Sequence, residues 1–251
     1  MKETIYTIPV NEAYDVKCEC PLCLLEHRFE ADRVNYYLGP SLMEPENRIE
    51  TNKKGFCGKH FSMMYNTQTN RLGLGLIIDT YLQEQNEKLE KLFDDFDRVA
   101  GEKKSFFASF KGANAADDAA SKISKHLDNH LEECCICKDL VYIMDRYVEI
   151  ILHLFFSEED FRKKFESGLG YCIPHLNMLI KGSEKHLGAG RRSEFLSSLF
   201  KLQRDNMQRI QEEVNWFTKK FDYRNNDAPW GNSKDSISRS IKKITGAKEL
   251  E

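Results

Sequence analysis

Apolar residues recur at spacings of three and four along most of the chain, and this period predicts α-helices. One helical face begins at Leu22 and continues until a Gly-Pro pair ends it. Two longer amphipathic helices are predicted near 74–96 and 195–221, and a helix rich in Val, Ile and Leu over 137–156. The pattern therefore predicts an all-α protein.

Four segments interrupt this helical pattern. Residues 4–10 form an alternating run that is rich in β-branched residues and is interrupted by a proline. This pattern predicts a short edge strand or an extended N-terminal arm. Residues 40–54 contain two prolines and many charges, which predicts a surface loop. Small residues over 101–116 predict a linker. The segment 224–251 predicts a C-terminal tail with a short helix near 237–244.

A pair of short motifs occurs twice, in the same order. A Cys-x-x-Cys pair is followed by Gly-aromatic-Cys-x-x-His, and the number of residues between the pair and the cysteine of the second motif is 33 in the first copy and 34 in the second. The landmarks are displaced by 114 for the first pair and by 115 for the second, which indicates an internal repeat. The candidate metal ligands are Cys20, Cys23, Cys57 and His60 in the first copy and Cys134, Cys137, Cys172 and His175 in the second.

Three thiols and one imidazole, arriving as two close pairs, are the ligands that tetrahedral zinc accepts. We therefore predict two structural Cys3His zinc sites per chain, one in each copy, with the ligands at helix N-termini. A thiolate is stabilised there by unpaired backbone N–H groups and by the helix dipole. The predicted repeats are 1–100 and 117–223, joined by the linker 101–116 and followed by the tail 224–251.

Two alternatives to structural zinc stay open at this point. Iron–sulfur clusters also accept thiolates and occasionally histidine, which would make the protein an electron carrier. A redox or thiol-reactive role could use Cys18 or Cys135, which lie beside ligand cysteines but do not correspond between copies. His126 and His130 lie on one helical face with Cys134, so an auxiliary metal role for them is a further alternative.

Composition narrows the function classes. A net charge of −3 gives no field that would attract nucleic acid or an anionic membrane. No stretch has the uncharged length of a membrane span, and the first residues lack an apolar signal core, so we expect a cytoplasmic location. No phosphate loop, nucleophile elbow or spaced carboxylate pair indicates catalysis. The sequence therefore favours a non-enzymatic binding or scaffold module for a protein or small molecule.

Several segments resemble a known family. IYTIPVNEAYD and CECPLC, then LGPSLME and GFCGKHF, and near the end APWGNSKDSI are similar to an uncharacterised bacterial family of unknown function common in anaerobes. The resemblance covers nearly the whole chain. It implies a cysteine-rich helical architecture and carries over no catalytic role.

Overall fold

The computed structural model describes residues 4–101 and 109–246, and every regular element within these two ranges is helical. The all-α prediction is therefore confirmed. Short 3-10 helices lie at Pro40–Met43, Tyr223–Asn225 and Gly231–Ser233. The α-helices of the described ranges are α1 (Thr4–Asp15), α2 (Pro21–Leu38), α3 (Pro45–Lys54), α4 (Gly58–Thr67), α5 (Arg71–Gly101), α6 (Ser109–Glu132), α7 (Cys135–Ser157), α8 (Glu159–Glu166), α9 (Ile173–His186), α10 (Ala189–Lys219) and α11 (Ser236–Thr245).

The predicted extended N-terminal arm is wrong, because this segment is helix α1. Val10 and Ala13 are fully buried whereas Ile5 and Ile8 are exposed, so the apolar residues follow the helical period and not an alternation. Pro9 lies inside the helix. Proline at the sixth residue of the helix has no N–H to donate to the carbonyl of Ile5, and the helix nevertheless continues past it.

The predicted surface loop over 40–54 is also wrong. Pro40 begins a 3-10 helix and Pro45 begins helix α3, in each case at the first helical turn. Proline is favoured there because its fixed φ angle suits a helix and its missing N–H would have had no intrahelical partner. The same two prolines that suggest an irregular loop are therefore helix starts.

The other predicted helices are confirmed with longer bounds. Helices α5 and α10, which follow the two Gly-aromatic-Cys motifs, each have 31 residues. The matching order of elements supports the predicted repeat, which stays a prediction. Of the predicted linker, 102–108 lie outside the described residues and 109–116 belong to helix α6.

Two compact units divide the chain. Unit 1 contains residues 1–29 and 141–251, and unit 2 contains 30–140, so the boundaries fall inside helices α2 and α7. The division predicted from the repeat, 1–100 and 117–223 with a linker and tail, stays a prediction and differs from these units. Unit 1 is therefore built from two segments that are distant in sequence.

Each unit has its own apolar core. In unit 1, Phe155 packs edge-on against Phe165 and Phe195, at ring-centroid distances of 5.1 and 5.2 Å. In unit 2, the rings of Tyr37 and Phe56 lie 5.0 Å apart in a buried cluster that also contains the candidate ligand Cys134, with Cys57 and Cys137 packed against it. Aromatic pairs of this kind add to the stabilisation from buried apolar area.

Candidate metal centres

The eight predicted ligand side chains come together as two groups of four. In each group, one donor atom per residue lies within 4.8 Å of all the others. Each group has three thiols and one imidazole and could hold one metal ion. We call them centre A, formed by Cys20, Cys23, Cys172 and His175, and centre B, formed by Cys57, His60, Cys134 and Cys137.

The expectation that each copy builds its own centre is wrong. Centre A takes its Cys-x-x-Cys pair from the first copy and its Cys-x-x-His pair from the second, and centre B has the reverse composition. Centre A therefore lies within unit 1 and joins its two chain segments, whereas centre B lies within the continuous unit 2. The ligand types and their number per centre are as expected, and only the grouping is exchanged.

The Gly-aromatic-Cys motif forms the same turn in both copies. Gly55 and Gly170 have positive φ angles of 63° and 78°, which side-chain-bearing residues rarely adopt. The aromatic residues that follow, Phe56 and Tyr171, are buried and fix the turn in the core. The cysteine then caps a helix, and the histidine three residues later lies on the first turn of that helix. Cysteine and histidine can therefore face one point.

Cysteine pairs also precede helices. Cys20 lies directly before α2 and Cys134 directly before α7, and their carbonyl groups accept hydrogen bonds from Cys23 N at 3.1 Å and from Lys138 N at 3.1 Å. The prediction that ligands gather at helix N-termini is confirmed. Unpaired N–H groups in these first turns favour negatively charged sulfur.

In centre A, the sulfur and nitrogen donor atoms lie close to one another. Cys172 Sγ lies 3.8 Å from Cys20 Sγ and 3.6 Å from Cys23 Sγ. His175 Nδ1 lies 3.4, 3.3 and 3.1 Å from the sulfurs of Cys20, Cys23 and Cys172. Hydrogen bonds from the thiols of Cys20 and Cys23 hold the pKa of Cys172 well below its usual range. Burial raises the pKa of Cys20, so one thiolate is stabilised within the group.

Centre B has the same arrangement. His60 Nδ1 lies 3.2, 3.3 and 3.5 Å from the sulfurs of Cys57, Cys134 and Cys137, and the sulfurs of Cys57 and Cys137 are 3.7 Å apart. Burial would raise the pKa of Cys134, but hydrogen bonds from His60 and from backbone N–H groups outweigh it and lower this pKa to about 6. Burial raises the pKa of Cys137 to about 12. Here too one thiolate is favoured.

Each histidine faces the thiols with Nδ1 and a carboxylate with Nε2. His60 Nε2 lies 3.4 Å from Glu30 Oε1, and both side chains are fully buried. His175 Nε2 lies 3.6 Å from Glu26 Oε2. Lys59 pairs with the same Glu30 carboxylate. A carboxylate behind a ligand histidine fixes its tautomer and orientation in metal sites, so both glutamates are candidate supporting residues.

Glu26 and Glu30 were not predicted from the sequence. Both lie on helix α2, and their counterparts at the repeat displacement of 114 are Leu140 and Met144. A comparison of the two copies therefore gives no signal for them. The only hint available is that they lie one and two helical turns after Cys23.

The other candidate residues do not join either centre. Cys135 is buried, its Sγ lies 3.7 Å from the carbonyl oxygen of Glu50, and burial raises its pKa to about 12. Cys18 is half-buried, and burial raises its pKa as well. His130 contacts the hydroxyl of Tyr81, and neither it nor His126 belongs to a metal group among the described residues.

Fold and site together define a class of protein, an all-helical protein with two Cys3His groups that could each hold a metal ion. The chain belongs to a family of unknown function, DUF6062, whose model matches residues 1–251. The predicted family resemblance is thus confirmed over the whole chain. No curated protein and no solved structure matches the chain. Among the described residues, every helix is too short or too polar to cross a membrane.

Proposed function

We propose that the protein binds two zinc ions, one in centre A and one in centre B, and that both ions are structural. The observation that carries this proposal is the completeness of the two ligand sets within 4.8 Å. Three thiolates and a histidine fill the four positions of tetrahedral zinc. Catalytic zinc needs an open position for water, and a fourth protein ligand occupies that position in each centre.

The distances between donor atoms support a single ion in each centre. Zinc ligands at their usual bond lengths lie about 3.5 to 3.8 Å from one another in a tetrahedron. In the two centres, three sulfur–sulfur pairs lie 3.6 to 3.8 Å apart and the nitrogen–sulfur distances are 3.1 to 3.5 Å. An iron–sulfur cluster places several iron and sulfide atoms between its ligands and needs wider spacing. The donor atoms would therefore move less to bind one zinc ion than to bind an iron–sulfur cluster.

The working role that follows is a binding or scaffold module in the cytoplasm. Thiolate ligands need a reducing compartment, which supports this location. With both metals structural, a protein or small-molecule partner would contact the helical surfaces and not the metal. Nucleic acid is disfavoured by the net charge of −3.

Metal analysis with an ultraviolet–visible spectrum tests the proposal. The protein is purified without oxygen and without a metal-binding tag. We expect about two zinc ions per chain, one for each four-ligand group, and no visible colour. Iron with acid-labile sulfide and a brown solution would replace the proposal with an electron carrier. A metal-free protein with eight titratable thiols would refute metal binding.

A further inference from the structure

Lys243 on helix α11 lies where a lysine is rarely found, fully buried beside centre A. Its ammonium donates a hydrogen bond of 2.8 Å to the carbonyl oxygen of Glu19 and a second to that of Leu169. Glu19 directly precedes Cys20, and Leu169 lies three residues before Cys172. One side chain thus joins the two turns that carry the two ligand pairs of centre A.

At centre B, the corresponding turns are joined without a side chain. The backbone N–H of Cys135 donates directly to the carbonyl oxygen of Gly55, at 3.1 Å. Their counterparts in the repeat are Pro21 and Gly170, displaced by 114 and 115 residues. Proline has no N–H, so centre A cannot form this backbone bond. The Lys243 ammonium supplies donors in the place where the proline removes one.

Lys243 is also the most deeply buried cation beside centre A. It belongs to a cluster in which Arg209, Arg239 and Lys243 pair with the carboxylates of Glu19, Glu213 and the more exposed Asp235. Three cations therefore face three carboxylates, and only Lys243 among the cations has a fully buried side chain. Zinc with three thiolates and a neutral histidine carries one negative charge, so a buried cation beside Cys20 suits a loaded centre A.

We propose that Lys243 is a positioning residue for metal at centre A, holding the two ligand-bearing turns together in place of the backbone hydrogen bond found at centre B. The inference rests on the proposed zinc binding. It makes helix α11 a requirement for metal retention at one centre only. Centre B, whose turns are joined by backbone, needs no such support.

The test compares zinc retention of the full-length Lys243→Met and wild-type proteins. Methionine keeps the length of the side chain and removes the donors and the charge. Zinc-loaded protein is titrated with a chromogenic chelator, and freed cysteines are alkylated and mapped by mass spectrometry. We expect zinc affinity at centre A to fall about 10- to 100-fold, the usual loss when an outer-shell partner is removed. Cys20, Cys23 and Cys172 should become alkylated while Cys57, Cys134 and Cys137 stay protected.

Lys242→Met is the matched control, because it removes the same charge from the adjacent, half-buried position on α11. It should release zinc like the wild type. Equal zinc retention in Lys243→Met and wild type would overturn the inference, and so would equal weakening of both centres, which indicates general destabilisation. A wild-type protein that holds no zinc would instead refute the proposed function.

A second measurement uses only the wild-type protein and remains informative if Lys243→Met does not fold. Coupling is reciprocal, so metal at centre A should protect Lys243 as Lys243 protects the metal. During stepwise chelation, acetylation of Lys243 should rise together with alkylation of Cys172. Acetylation that instead follows Cys134, or that is complete before any zinc leaves, would overturn the inference.

Discussion

At the residue scale, the turn of the repeated motif requires its glycine as the metal centre requires its ligands. Gly55 has φ 63° and ψ −154°, a region that is open essentially to glycine alone. A Cβ there would also lie 2.7 Å from the ring of Tyr81. The glycine therefore sets the direction in which Phe56 enters the core and Cys57 begins its helix.

Gly55→Ala should lower the free energy of unfolding by at least about 1–3 kcal/mol, because alanine is strained in this conformation and contacts Tyr81. Gly58→Ala is the control, since no atom lies within 4 Å of its Cβ position and it begins helix α4. Urea unfolding of the zinc-loaded proteins measures both. Equal stability of the two variants would contradict the account of this turn.

The carboxylate behind a ligand histidine gives a second prediction at this scale. Glu30→Gln should lower zinc affinity at centre B about 10- to 100-fold and leave centre A unchanged, because a neutral amide supports the His60 imidazole less well. Glu50→Gln, which removes a half-exposed carboxylate of the same unit, serves as control. Chelator competition with cysteine mapping gives the affinities.

A His60→Cys background distinguishes two possible roles of Glu30, which are to orient the histidine and to support the fold. In that background no imidazole remains to orient, so Glu30→Gln should no longer change zinc affinity. An undiminished loss in the double variant would show that Glu30 acts through folding alone.

The sequence predicts ligand residues well and their supporting residues poorly. The spacing of cysteine and histidine predicts a metal site without further information, whereas a glutamate such as Glu26 is one of many charged helix residues. Its role depends on His175, which is distant in sequence and meets it only in the folded chain. Lys243 is hidden for the same reason, since its neighbours on α11 give no sign that it is buried.

At the scale of elements, helical periodicity predicts the regular helices and fails at prolines. Helix α2 and the long helices follow from the spacing of their apolar residues, whereas Pro9, Pro40 and Pro45 suggest irregular structure where the chain is helical. The sequence alone does not distinguish a proline near a helix start from a proline in a loop. Tertiary contacts, such as the burial of Val10, decide between them.

Helices α7 and α9 meet at Gly182, where a Cβ would lie 2.2 Å from Val148 Cγ1. Gly182→Ala should therefore lower the free energy of unfolding by about 1–3 kcal/mol through overpacking. Val148→Ala should restore part of this loss in the double variant, because it removes the methyl group in the way. A double-mutant cycle by urea unfolding measures the coupling, and strictly additive effects would contradict this contact.

At the scale of the molecule, the exchanged grouping is the feature that the sequence could not predict. Both copies carry a complete Cys3His set, so grouping within copies and grouping between copies satisfy zinc equally well. Local spacing favours the shorter loop, but closure cost rises only slowly with loop length. His60 and Cys134 are 74 residues apart, and Cys23 and Cys172 are 149 apart. The lengthening costs about 1 kcal/mol for each centre, which packing can outweigh.

Zinc bound only to the folded protein should stabilise both units. Free zinc at about 100 times the dissociation constant adds about 2.7 kcal/mol per centre to the free energy of unfolding. Thermal unfolding at buffered zinc concentrations, under reducing conditions, should therefore show a midpoint that rises with zinc. A midpoint independent of zinc would contradict a structural role for the metal.

The most direct test of the account is cysteine mapping of a zinc-loaded Cys57→Ser/His60→Ala variant, which removes one ligand pair from centre B. The exchanged grouping predicts one zinc ion per chain, with Cys134 and Cys137 open to alkylation while Cys20, Cys23 and Cys172 stay protected. Exposure of Cys20 and Cys23 in their place, with Cys134 and Cys137 protected, would contradict it and restore one centre to each copy.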